Sequence, residues 1–241
     1  MKDLHNIFGD RGAGKSAFLM HVISKIYFGR GQEILRNSRR LIEEENKQRK
    51  RKLTPPDRVP IYCNFKVKIK NPDRSIYEPY YIKGSEIGIG DKYKKIYPGA
   101  VIVIDEAQNE FNSKDNNLPR AVSAFFEKSR HADLEIWLAS QRPILINKDI
   151  RDLSHHFIQI YETLEMTVAH FGIICGLKWR CREFTNRADV EKYVEQSEYE
   201  KGEHISYRDT EYTDGGAILE YYDSKSLRQE YFPKEGEDYV N

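Results

Sequence analysis

Eight residues near the N-terminus, Gly9-Asp10-Arg11-Gly12-Ala13-Gly14-Lys15-Ser16, have the types and spacing of a phosphate cradle. The glycines let the backbone curl until its N–H groups face inward, where phosphate oxygens can meet them. Lys15 brings a point charge suited to the β- and γ-phosphates, and the Ser16 hydroxyl is an oxygen donor for Mg²⁺. A helix starting at Ala17 would set its positive end beneath the phosphates, which adds Ala17 to the nucleotide-binding set. A chance match of this kind in a chain of this length has a probability of roughly 1%. The apolar run before it and the helical spacing after it lower that further.

A second group completes the chemistry. Val101-Ile102-Val103-Ile104 is an apolar β-branched run that ends in Asp105-Glu106. With a phosphate cradle upstream, Asp105 is the carboxylate expected to help place Mg²⁺. Glu106 is the expected general base that takes a proton from an attacking water. A base at that position favours hydrolysis over binding alone. Gln141 closes the next apolar run, Leu134–Ala139, where it could touch the γ-phosphate or position the water. Arg130, Arg142 and Arg151 lie downstream, and one of them is a candidate for an arginine that neutralises transition-state charge in a neighbouring subunit. The cofactors implied are ATP and Mg²⁺. No N-K-x-D guanine-reading motif is present, which weakens GTP.

These groups need particular elements beneath them. Leu4–Phe8 reads as a buried strand. Phe18, Leu19, Val22, Ile23 and Ile26 form one stripe of a helix over Ala17–Phe28. Pro60–Val67 alternates and reads as a strand, with Ile76–Ile82 as its hairpin partner. Ala100–Ile104, Leu134–Ala139, Phe157–Tyr161 and Thr167–Ile174 read as further strands, and Leu118–Lys128 as a helix. Strands alternating with helices imply a mostly parallel α/β sheet. The order of cradle, Asp-Glu strand and Gln-ended strand predicts a RecA-like P-loop NTPase with an additional strand between the two motif-bearing ones. The predicted ATPase domain covers 1–177, with a charged insertion at about 32–58, and 178–241 is a tyrosine-rich extension packed on it.

Composition bounds the alternatives. Among 241 residues, 39 Lys and Arg face 38 Asp and Glu, so net charge makes no case for nucleic acid. The insertion does concentrate basic residues, Arg36, Arg39, Arg40, Lys47, Arg49, Lys50, Arg51 and Lys52, against Glu43, Glu44 and Glu45. A solvated helix with a loop, or a basic arm for DNA or another partner, both fit it. Mean hydropathy is −0.73, and no apolar run approaches the ~20 residues a membrane helix needs. With no signal-peptide pattern, the expected location is the cytoplasm (the host's, for a viral chain) or the periphery of a membrane complex. Cys63, Cys175 and Cys181 show no C-x-x-C spacing and read as buried or incidental thiols. His131, His155 and His156 read as packing or capping residues, and Tyr193, Tyr199, Tyr207, Tyr212, Tyr221 and Tyr222 as core or interface rings.

Beyond these motifs the chain resembles the Zot-like family, that of the zonula occludens toxin N-terminal domain and the filamentous-phage assembly ATPase. The resemblance rests on the P-loop, on Ile61-Tyr62-Cys63-Asn64, and on Val103-Ile104-Asp105-Glu106-Ala107-Gln108. It continues through Ser129-Arg130-His131 to Ser140-Gln141, through Arg151-Asp152-Leu153 with His155-His156, and ends at Tyr222-Asp223-Ser224. It implies an ATPase of the FtsK–HerA type that forms an oligomeric ring, hexamers included, and that works in phage morphogenesis, extrusion or DNA movement. Filamentous-phage members carry a membrane helix and an external domain after the ATPase, which this sequence does not show. A soluble variant, a fragment, or a motor docking on a phage or membrane-bound assembly component would each account for that. A cytosolic DNA translocase and an NTP-gated assembly scaffold with little turnover remain as alternatives.

Overall fold

The computed structural model describes residues 3–50, 52–114, 118–167, 174–195 and 205–214. Its centre is an eight-stranded sheet in the order β10-β9-β8-β1-β7-β6-β2-β5. The strands are β1 (Leu4–Phe8), β2 (Ile61–Cys63), β5 (Tyr80–Tyr81), β6 (Val101–Ile104), β7 (Glu135–Ser140), β8 (His156–Thr167), β9 (Ile174–Phe184) and β10 (Arg208–Asp214). From β8 across to β5 every pairing is parallel; β9 and β10 extend the sheet antiparallel at its other edge. β6 is buried on both faces, which explains its unbroken apolar run, whereas β1 buries Leu4, Asn6, Ile7 and Phe8 and leaves His5 half-buried. β7 lies between β1 and β6, so the additional strand stands where the RecA-like reading requires it.

Helix α1 (Lys15–Gln48) leaves the P-loop and continues for 34 residues, about 51 Å at 1.5 Å per residue. It does not end near Phe28: the charged stretch from Gln32 is its second half. Ile34, Ser38 and Ile42, four residues apart, keep that half on the protein. Arg30 Nη2 donates to both Glu135 oxygens at 2.6 and 2.5 Å. The returning chain is also fastened. Asn46 exchanges two hydrogen bonds with the Leu53 backbone, and Arg39 Nε donates to Pro56 O at 3.0 Å.

Short helices α2 (Ala107–Glu110), α3 (Arg120–Lys128) and α4 (Lys148–Asp152) cover the opposite face over Ile102, Ile104, Phe111, Phe126 and Ile150. Helix α5 (Arg187–Glu195) lays Val190 and Tyr193 over Phe8, Phe157 and Phe184.

The expected hairpin of Pro60–Val67 with Ile76–Ile82 is not formed. β3 (Ile69–Lys70) pairs with β4 (Ile76–Tyr77) in a separate two-stranded ribbon, while β5 joins β2 in parallel. β9 runs through Leu177 and Lys178, so the expected domain boundary falls inside a strand. Its even positions make a charged outer ladder, with Arg180 on Glu162 and Glu211, and Lys178 on Glu211. Its odd positions Trp179 and Cys181 are buried against α1. Cys63 and Cys181 are free, buried thiols. Tyr193 is buried, Tyr207 packs on Phe184, and Tyr212 meets Phe18 edge-on. Tyr199, Tyr221, Tyr222 and the Tyr222-Asp223-Ser224 segment lie outside the described residues, as does the side chain of Cys175. No helix among the described residues is long and apolar enough to cross a membrane.

Candidate nucleotide-binding site

The register of the parallel strands sets a row of strand ends along one edge of the sheet. Phe8 is opposite Ser140, and Ile104 is opposite Leu138, so Gly9, Gln141 and Asp105 follow at neighbouring ends. Asn64 follows β2 beside them. In open parallel sheets this carboxyl edge is where ligands bind.

The loop Gly9–Gly14 curls as its glycines allow. Gly12 has φ 85° and Gly14 φ 79°, the left-handed region that other residues avoid. Gly9 is required for a different reason: a Cβ there would lie 2.4 Å from the backbone oxygen of Ile160 on β8. Lys15 is buried and folds back over the loop, donating from Nζ to Gly9 O at 2.9 Å and Asp10 O at 3.0 Å. The N-terminus of α1 has no side-chain cap and no acidic residue in its first turn. Its leading N–H groups are left for an anion. Asp10, Arg11 and Gly12 are exposed, Ala13 and Ser16 are half-buried, and Ala17 is buried.

Strands β8 and β9 brace this loop from behind. Thr163 Oγ1 donates to Ala13 O at 2.8 Å. A Cβ on Gly14 would stand 2.6 Å from Thr163 Oγ1 and 3.2 Å from Trp179 Nε1. Neither residue was visible to sequence reasoning, because nothing in the local pattern ties them to a loop 150 residues away.

Across the row, the Ser16 hydroxyl donates to Asp105 Oδ2 at 2.5 Å, joining residues 89 positions apart. Burial pushes the Asp105 carboxyl above its ordinary range; the hydrogen bonds from Ser16 and from the Glu106 N–H act in the opposite direction. Asn64 holds this carboxylate's backbone in place. Its amide donates to Asp105 O and accepts from Asp105 N, both at 2.8 Å. That exchange prolongs the β2–β6 pairing by one more residue.

Glu106 adopts φ 48° and ψ 44°, a left-handed conformation for a residue with a side chain. Its N–H reaches Asp105 Oδ1 at 2.9 Å, and its Oε2 accepts from the buried Gln108 Nε2. Gln141 and Arg142 are exposed and line a cleft of about 300 Å³ with Gly9, Asp10, Gln159 and Tyr161.

The remaining arginines are elsewhere. Arg130 is exposed at the opposite edge of the sheet, near Asp3 and His155. Arg151, on α4, has a side chain only 10% exposed and lies 3.5 Å from Glu191 of its own chain. That position supports a structural tie between α4 and α5, not a reaching finger. Among the described residues no cluster of three or more His, Cys, Asp or Glu side chains could hold a metal. The oxygen pair Ser16–Asp105, by contrast, has the hard-donor chemistry that Mg²⁺ takes alongside phosphate oxygens.

Residues 7–195 match the family described as zonular occludens toxin (Zot). The chain belongs to the Zot family. It is similar to the crystal structure of the N-terminal domain of zonular occludens toxin from Neisseria meningitidis. That match has 16% identity and a TM-score of 0.52, and it covers 92% of this chain and 100% of that one. It is also matched to the genome packaging NTPase B204 from Sulfolobus turreted icosahedral virus 2 in complex with AMPPCP. There the identity is 12% and the TM-score 0.41, over 86% of this chain and 96% of that one. No curated protein matches. Zot membership and the strand order together place the P-loop, the Asp105 strand and the intervening β7 in one α/β P-loop NTPase fold.

Proposed function

We propose that this Zot-family chain is a Mg²⁺-dependent ATPase that drives virion assembly, extrusion or DNA packaging for a virus or mobile element. The observation that carries the reading is the Ser16–Asp105 hydrogen bond, which joins the first turn of α1, just after the P-loop, to the residue that ends the β6 motif. The N–H groups around Gly12–Lys15 and the Lys15 charge hold the phosphates. Ser16 and Asp105 hold the ion. When bound, Mg²⁺ supplies positive charge that neutralises the phosphate oxygens as the terminal bond breaks. Glu106 takes a proton from the attacking water, and Gln141, at the end of β7, senses the terminal phosphate.

Arg130 is the arginine best placed to reach a neighbouring subunit, which motivates a head-to-tail ring. The morphogenesis setting follows from the Zot-family resemblance to filamentous-phage assembly proteins. We place the chain in the cytoplasm or at the periphery of a membrane complex, and treat residues through Asp214 as one unit because β8, β9 and β10 share its sheet.

A second reading, a DNA translocase, draws on the exposed Arg36, Arg40 and Lys47 of α1 and on Arg49 just past its end. Arg40 and Arg49 are already paired with Glu44 and Glu45, which reduces the charge left for a duplex. DNA binding that weakens with salt, and weakens further when this stretch is neutralised, would favour it.

The test is steady-state ATP hydrolysis by the wild type and Glu106→Gln, each with and without duplex DNA. Turnover that the substitution abolishes establishes the ATPase. Stimulation by DNA selects the DNA motor, and indifference to DNA selects a protein-assembly ATPase. No turnover in the wild type leaves a nucleotide-gated scaffold.

A further inference from the structure

Gln108 sits two residues beyond Glu106, in the first turn of α2, and is 8% exposed. Its Nε2 donates to Glu106 Oε2. An ionised carboxylate only accepts, so this bond fixes the amide: nitrogen toward Glu106, oxygen away. Gln108 Oε1 is then turned into the protein, where no described residue donates to it. A buried acceptor without a donor destabilises the fold, and an apolar side chain of the same length would not carry that cost. Glu106 itself sits at φ 48°, a conformation that non-glycine residues avoid. Two unfavourable features thus converge on one carboxylate, and among the described residues the one bond that Gln108's side chain forms is to it.

We infer that Gln108 is a positioning residue that holds the Glu106 carboxylate in the orientation needed to accept a proton from the attacking water. The inference rests on the reading of Glu106 as general base. Gln108 is buried, so the amide that meets the Glu106 carboxylate has little room to turn away from it. Residues of this kind lower stability and raise the rate, because pre-orientation of the reacting group is settled before substrate arrives.

The experiment compares Gln108→Met, Gln108→Glu and Glu106→Gln in the full chain. ATP turnover, affinity for a non-hydrolysable ATP analogue with Mg²⁺, and thermal midpoint are measured for each. Methionine keeps the length and fills the space but cannot donate. Gln108→Met is expected to lower kcat by about tenfold to a hundredfold. Its affinity for the analogue stays within about twofold and its thermal midpoint matches or exceeds that of the wild type. Gln108→Glu replaces the donor with a like charge, and kcat falls at least as far. If Gln108→Met keeps kcat while Glu106→Gln is inactive, the positioning role is wrong and the general base stands. A Gln108→Met that loses rate, affinity and thermal midpoint together shows a structural residue and equally overturns the inference. Wild-type turnover in Glu106→Gln removes the general base itself, and this inference with it.

Discussion

The P-loop and the segment from Asp105 to Gln108 occupy adjacent strand ends but are held in opposite ways. Left-handed backbone in the P-loop falls on glycines, where it is free of steric penalty. Its carbonyls at Gly9, Asp10 and Ala13 are all bonded, by Lys15 and Thr163. In the second segment the left-handed residue is a glutamate, and the glutamine that holds it leaves an acceptor bare. The comparison suggests a division of labour. The half that meets the phosphates keeps its left-handed backbone on glycines and is braced from β8, although the Trp179 indole N–H behind Gly14 is buried without a described partner; the half assigned to water activation puts its backbone strain on a residue with a side chain, as functional sites do.

The comparison breaks first if Lys15 is dispensable. Lys15→Ala is expected to weaken nucleotide binding by about tenfold to a hundredfold, the roughly 1.5–3 kcal/mol of hydrogen bonds to a charged group. Isothermal titration with an ATP analogue measures it. Unchanged affinity would mean that the phosphates bind somewhere else.

Two alanine substitutions separate bracing from backbone strain within the P-loop. At Gly9 the new Cβ meets Ile160 O at 2.4 Å, and β8 cannot retreat without loosening its pairing with β1. Gly9→Ala should cost about 2 kcal/mol, within the range for overpacked sites. At Gly12 nothing lies within 4 Å and only φ 85° opposes the substitution. Gly12→Ala should cost about 1 kcal/mol. Equal denaturation midpoints for the two variants would show that β8 does not brace the loop.

Asn64→Ala addresses the other half. It leaves the Asp105 N–H and C=O without their partner, at an expected cost of about 1–2 kcal/mol in stability. Because Asp105 is displaced, the Mg²⁺ concentration needed for half-maximal turnover should rise as well. A loss of stability with no change in Mg²⁺ dependence would confine Asn64 to the fold.

How much of this was legible depended on whether the partners lay close in sequence. Gly9–Ser16 and Val101–Glu106 are contiguous and follow central strands, one wholly apolar and one ending in Ile7-Phe8, so motif and element coincided. The second half of α1 read as a separate solvated helix because one of its three buried contacts is Ser38, which breaks the apolar stripe and hides the continuity with Ala17–Phe28. The ribbon of β3 with β4 and the edge strand β5 have two residues each, too short for any period to show. In β9 the alternation of Lys178, Arg180 and Arg182 with Trp179 and Cys181 was present, and the density of charge disguised a strand with one solvated face. Arg151 illustrates a different limit. An arginine's sequence position says nothing about whether α5 will fold over it, and here Glu191 does.

The smallest effect sharpens the comparison most, because it concerns a single hydrogen bond. Thr163→Val keeps the shape of the side chain at the back of the P-loop and removes the donor to Ala13 O. The lost bond is expected to cost about 1 kcal/mol of stability. If the brace fixes the loop for phosphate, nucleotide affinity should fall about threefold to fivefold, a similar free energy. The rate with saturating ATP should stay put, because Thr163 lies on the phosphate side and makes no contact with Asp105 or Glu106 among its described bonds. Parallel measurements on Gln108→Met should give the mirror result, with affinity kept and rate lost. Should Thr163→Val lower kcat as well, the two halves of the site are mechanically coupled, and β8 carries strain from one to the other.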